Sequence, residues 1–170
     1  MFKQAFLVVT VAATLSLTGC ASGARTDSPQ IIHEAKDMSV AVINDLVAQV
    51  SVESLVPGQS VQPGELKRTM LPCGREGEYQ YPASYAIEVR DMETSMQVVQ
   101  NLHEYMREEK RWEERKITIT NRVESKFFTE KGISVLVTGE SVNSRYLVNI
   151  MAFSPCVKLP NGFRPSANRL

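Results

Sequence analysis

Two histidine–glutamate pairs are the residues of this 170-residue chain that could begin a metal site. His33-Glu34 and His103-Glu104 each match the start of H-E-x-x-H, in which two histidines on one helical face bind zinc and the glutamate acts as general base. The position of the second histidine holds Asp37 in one case and Arg107 in the other. Both pairs therefore lack a ligand, so we predict no metal site and expect both histidines on helix surfaces.

Other catalytic signatures are missing from the sequence as well. The chain has no G-x-S-x-G nucleophile elbow, no P-loop and no dinucleotide-binding fingerprint. We therefore predict no catalytic residue and no cofactor, and expect a protein that is not an enzyme. Carboxylates that meet only in space leave no local signal, so a carboxylate-based hydrolase stays open as an alternative. Its candidate residues are Glu76, Glu78, Glu88, Glu124, Glu130 and Glu140.

Cys20 ends a sequence pattern that indicates export rather than catalysis. Lys3 precedes an apolar run over residues 5–17, which closes in Leu17-Thr18-Gly19-Cys20. The run holds roughly a dozen apolar residues, too few to span a bilayer but typical of the apolar part of an export signal. Its end closely resembles the bacterial lipobox. This resemblance implies that residues 1–19 are a lipoprotein signal peptide and that Cys20 receives a diacylglycerol.

Lipidation of Cys20 would also determine where the protein resides. Two acyl chains hold a protein stably at a membrane, whereas one holds it only reversibly. The small and polar residues over 20–28 then form a flexible tether. We expect a protein anchored to the extracytoplasmic face of the cell membrane, or to the outer membrane in a Gram-negative source. The alternatives are an exported protein with an ordinary Cys20 and a cytoplasmic protein with an apolar N-terminal helix.

Cys73 and Cys156 are the two cysteines that remain when Cys20 is lipidated. An even number of cysteines in an oxidising location favours a disulfide. Such a bond would close a loop of about 80 residues and contribute roughly 4 kcal/mol on the chain-entropy model. Two free thiols or a metal site are the alternatives, and neither cysteine has a second cysteine or a histidine close by in the sequence.

Length and charge limit the possible partners of the mature chain. About 150 residues remain after cleavage, which is enough for one domain with a core. The chain holds 19 basic and 19 acidic residues, and loss of Lys3 with the signal peptide leaves a net charge near −1. This balance provides no basic surplus for nucleic acid. The expected partners are the membrane, through the lipidated Cys20, and an envelope protein or glycan.

Residues 29–158 predict a single α+β domain. A first helix begins at Ser28-Pro29, ends near Val52 and carries one mostly apolar stripe. The alternation from Tyr79 to Val89 indicates a strand, and Asp91 caps a second helix. The buried stripe of the first helix is Ile32, Ala35, Ser39, Val42, Leu46 and Val50, and that of the second is Met92, Met96, Val99, Leu102, Tyr105 and Met106.

An antiparallel meander is predicted after the second helix. Apolar residues alternate over 117–120, 133–137 and 146–153, with turns between these segments, and the middle strand should stop at Gly139. We expect a two-layer sandwich with two helices on one face of a four- to five-stranded antiparallel sheet. Residues 159–170 have no apolar period and predict a flexible C-terminal tail.

Four aromatic residues form a possible binding face. Tyr79, Tyr81 and Tyr85 share one side of the predicted strand, and Trp112 lies in a charged segment. Tyrosines in a row at a strand edge could contact a glycan or a protein partner. The alternative is that the tyrosines pack under the helices and that Trp112 packs at the end of the second helix.

The order of these elements resembles the LppA-like family of small actinobacterial lipoproteins. The shared features are a helix, Pro57-Gly58-Gln59, Cys73, a strand, an amphipathic helix, a meander and Cys156 at its end. The loop from Gln59 to Cys73 is shorter than in that family, and the tail after Pro160 is reduced. The resemblance implies a surface lipoprotein with a disulfide and no known catalytic residue.

The sequence therefore favours a lipid-anchored envelope lipoprotein that acts as a non-enzymatic binding or interaction module. A phage- or plasmid-encoded exclusion lipoprotein is one alternative, and the carboxylate-based hydrolase is another.

Overall fold

The computed structural model describes residues 29–59, 69–119, 122–159 and 162–163. The predicted signal peptide over 1–19, the lipidation site Cys20 and the tether over 20–28 lie outside the described residues. A short 3-10 turn covers Val52–Ser54. The α-helices and strands are α1 (Pro29–Ala48), β1 (Leu71–Pro72), β2 (Glu78–Gln80), β3 (Pro82–Val89), α2 (Met92–Glu108), β4 (Trp112–Ile119), β5 (Arg122–Thr129), β6 (Ser134–Val142), β7 (Arg145–Phe153) and β8 (Val157–Lys158).

The strands form two antiparallel sheets. Five strands pair in the order β3-β7-β6-β5-β4, and three short strands pair in the order β1-β2-β8. Every neighbouring pair in both sheets is antiparallel. The predicted α+β fold with a sheet of about five strands is therefore confirmed, and the small second sheet is an addition to it.

The predicted strand from Tyr79 to Val89 is interrupted at Tyr81, so the expectation of one continuous strand is wrong. Tyr81 lies between β2 and β3, which belong to different sheets. Its backbone N–H donates to Ser154 Oγ at 2.8 Å, and its carbonyl accepts from the Ser154 N–H at 3.0 Å and from Ser39 Oγ at 3.3 Å. Pro82 follows and has no N–H for a sheet ladder. Two buried serines thus hold the chain where it passes from one sheet to the other.

Helix α1 buries the stripe that its spacing predicts. All six stripe residues are buried, and Ile32, Ala35, Ser39 and Leu46 are almost inaccessible. The helix ends at Ala48 rather than near Val52, and the 3-10 turn that follows begins after Ser51, whose side chain accepts from the Glu53 N–H. Apolar side chains at three- and four-residue spacing therefore fix which face of α1 meets the sheet.

Helix α2 begins as predicted but is rotated from its predicted stripe. Asp91 is the N-cap and its carboxylate accepts from the Thr94 N–H at 2.7 Å. Met92 and Met96 are 37% and 66% exposed, so their assignment to the buried stripe is wrong. The side chains that face the sheet are Ser95, Val98, Leu102 and Met106.

Strand β6 passes through Gly139 to Val142, so the prediction that the strand stops at Gly139 is wrong. Gly139 pairs with Val148 of β7 within the ladder. A Cβ built on Gly139 would lie 2.6 Å from Ser95 Oγ, and Ser95 is fully buried. The glycine therefore allows α2 to approach the sheet closely at Ser95, which explains the rotation of the helix.

One face of the large sheet carries the core. Residues that pair across an antiparallel ladder project to the same side, and the register places most buried side chains of β3, β5, β6 and β7 on that side, while Leu136 and Ser134 of β6 are buried on the other. Together with both helices they form one cluster. The sheet residues of this cluster are Ala83, Ile87, Val89, Phe127, Val135, Val137, Val148, Ile150 and Ala152.

Part of the predicted C-terminal tail packs against the domain. Leu159 is 9% exposed and its N–H donates to the Gly77 carbonyl at 3.4 Å. Phe163 packs against the core. The remainder of the tail, residues 160–161 and 164–170, lies outside the described residues.

Candidate binding surface

The four predicted aromatic residues do not lie on one surface. Tyr81 is fully buried and Trp112 is 9% exposed, and both belong to the core. Tyr79 in β2 and Tyr85 in β3 are partly buried and lie in different sheets. The alternative interpretation, core packing, therefore holds for Tyr81 and Trp112, and this removes both from the predicted binding face.

Cys73 and Cys156 lie at disulfide-bonding distance, with their Cα atoms 6.0 Å apart and a separation of 83 positions in sequence. Cys73 follows β1, and Cys156 lies between β7 and β8. The bond joins the small sheet to the end of the last long strand. The bond thus fastens one sheet to the other. The distance between the two cysteines confirms the predicted cysteine pair.

The two histidines differ in their surroundings. His33 is exposed, as predicted. His103 is half-buried instead: its ring centroid lies 5.2 Å from that of Phe127, and its Nε2 is buried with no hydrogen-bond partner among the described residues. The prediction of a surface position is therefore wrong for His103. The described residues contain no group of three side chains that could hold a metal ion.

Burial is the main cause that lowers the pKa of His103, and the positive charge of Arg107 adds to it. A hydrogen bond to the Val137 backbone and the charge of Glu114 act in the opposite direction. Since Nε2 has no partner, the ring bonds to Val137 through Nδ1. Neutral His103 therefore sits as a donor between α2 and β6.

Glu114 is the centre of an ionic cluster between α2 and the outer strands. It accepts two hydrogen bonds from Arg107, at 2.8 and 3.2 Å, and one each from Lys116 at 2.7 Å and Ser125 at 2.6 Å. These donors, Arg107 first, hold the pKa of Glu114 well below its usual range. Lys116 also lies 2.5 Å from Ser125 Oγ.

A serine beside a lysine can form a hydrolytic dyad only if the amine can accept a proton. In this cluster Lys116 donates to Glu114 at 2.7 Å and to Ser125 Oγ at 2.5 Å, and the Ser125 hydroxyl donates to Glu114 rather than to Lys116. The geometry of this cluster is therefore that of a tether from β4 and β5 to α2.

The second face of the large sheet is not covered by either helix. We call it the open sheet face. Lys126 lies between two aromatic rings on it, with Nζ 5.3 Å from the Phe128 centroid and 5.2 Å from the Phe153 centroid. The Arg115 guanidinium lies 4.7 Å from the Phe128 ring. Burial lowers the pKa of Lys126, so this face combines one partly desolvated cation and one exposed cation with aromatic surface.

The open sheet face contains a split between two neighbouring strands. β4 and β5 pair over eight positions, and β6 and β7 over nine. β5 and β6 pair over only three, from Phe128↔Ser134 to Lys126↔Leu136. Beyond Lys126 the two strands separate. We call the space between them the β5–β6 cleft.

Gly139, at the β5–β6 cleft, lines two cavities, one on each side of the large sheet. Each has a volume of about 460 Å³. The cavity on the helix side is bounded by α2 and by Gly139, and the other lies on the open sheet face. Their remaining lining residues are Met96, Val99, Gln100, His103, Glu104 and Arg107 on the helix side, and Ile119, Glu124, Leu136, Thr138, Glu140 and Met151 on the open side.

The structure brings together one pair from the six candidate glutamates. Glu124 and Glu140 line the same cavity. Glu88 forms an ion pair with Arg145, and Glu78 accepts from the Arg75 N–H at 3.2 Å. Both carboxylates therefore border one cavity, next to apolar walls.

Sequence reasoning missed both the cleft and the open sheet face. The one local signal was Gly139 inside a β-rich segment, because an isolated glycine in a strand marks a bulge or a close backbone approach.

No protein-family model matches the chain, and no curated protein or solved structure shows significant similarity to it. The resemblance to LppA-like lipoproteins therefore stays a prediction. In the part of the chain that the structure describes, neither helix has the length and apolar character needed to cross a membrane.

Proposed function

We infer that this protein is a lipid-anchored lipoprotein of the cell envelope whose folded domain binds a partner without catalysing a reaction. The observation that carries this proposal is Leu17-Thr18-Gly19-Cys20 after a basic residue and a short apolar run. Each part of that pattern has a physical role in export: a positive start, an apolar segment too short to remain as a span, and a cysteine for the lipid.

The cysteine pair and the position of the domain support the same location. Disulfides persist in oxidising compartments outside the cytosol, and Cys73 and Cys156 lie at bonding distance. Helix α1 begins at Pro29, nine positions after Cys20. Nine residues reach at most about 30 Å when fully extended. The proposed anchor would therefore hold the domain close to the membrane surface.

The open sheet face and the β5–β6 cleft support a binding role. Exposed apolar patches bordered by polar residues mark interaction sites. Here Phe128 and Phe153 are partly exposed beside Lys126, and the cleft adds the exposed Ile119 with Glu124 and Glu140 on the same face. A protein segment or glycan of the envelope is the proposed partner class.

Metabolic labelling with a palmitate analogue, followed by intact mass, tests the anchor. The full chain expressed in a lipoprotein-processing bacterium should carry label, lack residues 1–19 and fractionate with membranes. Cys20→Ser should abolish the label. The matched control is Cys73→Ser with Cys156→Ser, which removes both other cysteines and should keep the label. An unlabelled chain that retains residues 1–19 would contradict the proposal, and a cleaved, unlabelled chain would show that Cys20 is an ordinary cysteine.

A further inference from the structure

We propose that the β5–β6 cleft binds an extended peptide segment of a partner protein, rich in basic and apolar side chains, as an added strand along the free edge of β6. The inference rests on the proposed binding role of the domain and names the surface, the partner class and the mode of recognition. In this mode backbone hydrogen bonds supply affinity, and alternate side chains supply specificity.

The turn between β6 and β7 determines which backbone groups of β6 face the cleft. Asn143 and Ser144 both have positive φ, 51° and 62°, and join the paired residues Val142 and Arg145. A two-residue turn of this kind places a hydrogen-bonded pair at its base. Val142, Glu140 and Thr138 therefore hydrogen-bond to β7 through their backbones. The alternate residues, which include Gly139 and Ser141, direct their N–H and C=O groups toward β5.

Strand β5 has the matching pattern on the other side of the cleft. The Thr129 N–H donates to the Ile133 carbonyl at 2.9 Å, so odd-numbered residues of β5 bond toward β6. Phe127 pairs with Val135, but the register ends at Lys126↔Leu136. Val123 and Ser125 therefore direct their backbone groups into the cleft. Among the described residues no strand pairs with Val123 and Ser125 on the cleft side of β5, nor with Gly139 and Ser141 on the cleft side of β6.

The base of the cleft is closed by His103. Its ring bonds to the Val137 backbone, which is the next cleft-facing residue of β6 below Gly139. An added strand would therefore begin its pairing at Gly139 and continue toward the tip of the β6–β7 hairpin.

The outer edge of β4 provides a contrast within the same sheet. Free strand edges invite unwanted pairing, and natural proteins protect them with charged side chains. The middle of β4 reads Glu113-Glu114-Arg115-Lys116. Along the edge of β6, Thr138, Gly139, Ser141 and Val142 are uncharged and Glu140 is the one charged residue. The edge in the cleft thus carries less charge than the middle of β4.

The lining of the cleft indicates which side chains its occupant carries. Ile119, Leu136 and Met151 supply apolar walls on the open side. Glu124 and Glu140 line the same space, and among the described residues no cation pairs with either carboxylate. A strand with apolar and basic residues in alternation would cover the walls and neutralise both charges.

Exposed apolar side chains at the rim add to this argument. Val123 is 70% exposed, Val142 is 42% exposed and Ile119 is 40% exposed. Ile119 ends β4, Val123 lies at the start of β5 and Val142 ends β6. An added strand would remove part of this surface from water, which favours binding.

The test uses the full chain, purified in detergent, and a capped, fluorescent hexapeptide of alternating lysine and valine. We expect saturable binding, with the amide signals of Gly139 and Ser141 shifted and their hydrogen exchange slowed. Two analogues, N-methylated on alternate sets of residues, test backbone pairing, and at least one should bind tenfold more weakly or worse. A glutamate–valine peptide should not bind. Absence of binding by the lysine–valine peptide up to millimolar concentration would overturn the proposal.

Proline variants locate the edge that is used. Ser141→Pro removes an N–H that faces the cleft and is not used by β7, and it should weaken peptide binding at least tenfold. Thr118→Pro is the matched control, because Thr118 presents its N–H at the outer edge of β4, and it should bind as the parent does. If Ser141→Pro fails to fold, exchange protection in the parent chain decides the location, and protection on β4 instead of β6 would refute the proposal.

Charge variants test the acidic lining. Glu124→Gln with Glu140→Gln should weaken binding of the lysine–valine peptide at least fivefold and reduce its salt dependence. Unchanged affinity and salt dependence would overturn the charge argument. Palmitate labelling of Cys20 is measured separately, so a failed peptide experiment is distinguishable from a failed anchor.

Discussion

Gly139→Ala tests the packing of α2 on the sheet with a single methyl group. The new Cβ would lie 2.6 Å from Ser95 Oγ and 3.7 Å from the nearest Val99 methyl. The second distance is an ordinary contact, but the first requires a movement. If Ser95 rotates, it loses its 2.9 Å hydrogen bond to the Leu147 carbonyl, a cost of about 1 kcal/mol. If α2 moves away, the cost is about 1–3 kcal/mol, as for other overpacked cores.

We therefore expect Gly139→Ala to lower the free energy of unfolding by about 1–3 kcal/mol, measured by urea denaturation. The intrinsic preference for alanine over glycine in a strand offsets about 0.5–1 kcal/mol of this, which favours the lower half of the range. Ser95→Ala removes the clashing oxygen and should cost about 1 kcal/mol alone. Adding Gly139→Ala to Ser95→Ala should then cost nothing further. An equal cost in both backgrounds, or a Gly139→Ala variant as stable as the parent, would refute the reasoning.

Two further predictions concern the disulfide and His103. Cys73→Ser with Cys156→Ser should lower the free energy of unfolding by about 4.5 kcal/mol, because the bond spans 83 positions; a loss below about 1 kcal/mol in urea melts would contradict this. Burial and the charge of Arg107 lower the pKa of His103 in the folded chain. The unfolded chain therefore binds a proton at a higher pH than the folded chain does. The stabilising contribution should be complete above about pH 6.5, the ordinary histidine pKa, and should be lost as the pH falls through the lower pKa of the folded chain. His103→Gln should flatten the dependence of the free energy of unfolding on pH, whereas His33→Gln, at an exposed position, should leave it as in the parent. Equal slopes in the parent and both variants would exclude His103 as the cause.

Local patterns predicted much of the fold because they act through nearest neighbours. The stripe of α1 follows from helical spacing alone, and the Asp91 cap follows from a side chain that satisfies free N–H groups at a helix start. The cysteine pair followed from the number of cysteines together with the predicted export of the chain. The break at Tyr81 did not follow, since it depends on Ser39 and Ser154, which are distant in sequence.

The rotation of α2 shows how tertiary contact overrides a sequence pattern. Met92 and Met96 fit an apolar stripe as well as Val98 does, and helical spacing alone does not choose between them. The close approach at Gly139 places Ser95 against β6 and directs both methionines outward. A glycine in one element thus determined which face of another is buried.

The candidate site depended still more on tertiary structure. The β5–β6 cleft exists because a ladder stops at Lys126, and register is a relation between two strands rather than a property of either. Glu124 and Glu140 are ordinary surface residues in the sequence, and only the separation of their strands makes them line one cavity.

What the sequence by itself determined is what short-range chemistry can encode: helix faces, caps, turns, an even cysteine pair and the prediction of a lipid anchor at Cys20. Only the tertiary structure decided the order of the strands, the separation of β5 from β6, the burial of Tyr81 and Trp112, and the half-buried position of His103. The physical reason is that the first set depends on residues within a few positions of one another, whereas the second depends on which distant surfaces pack together.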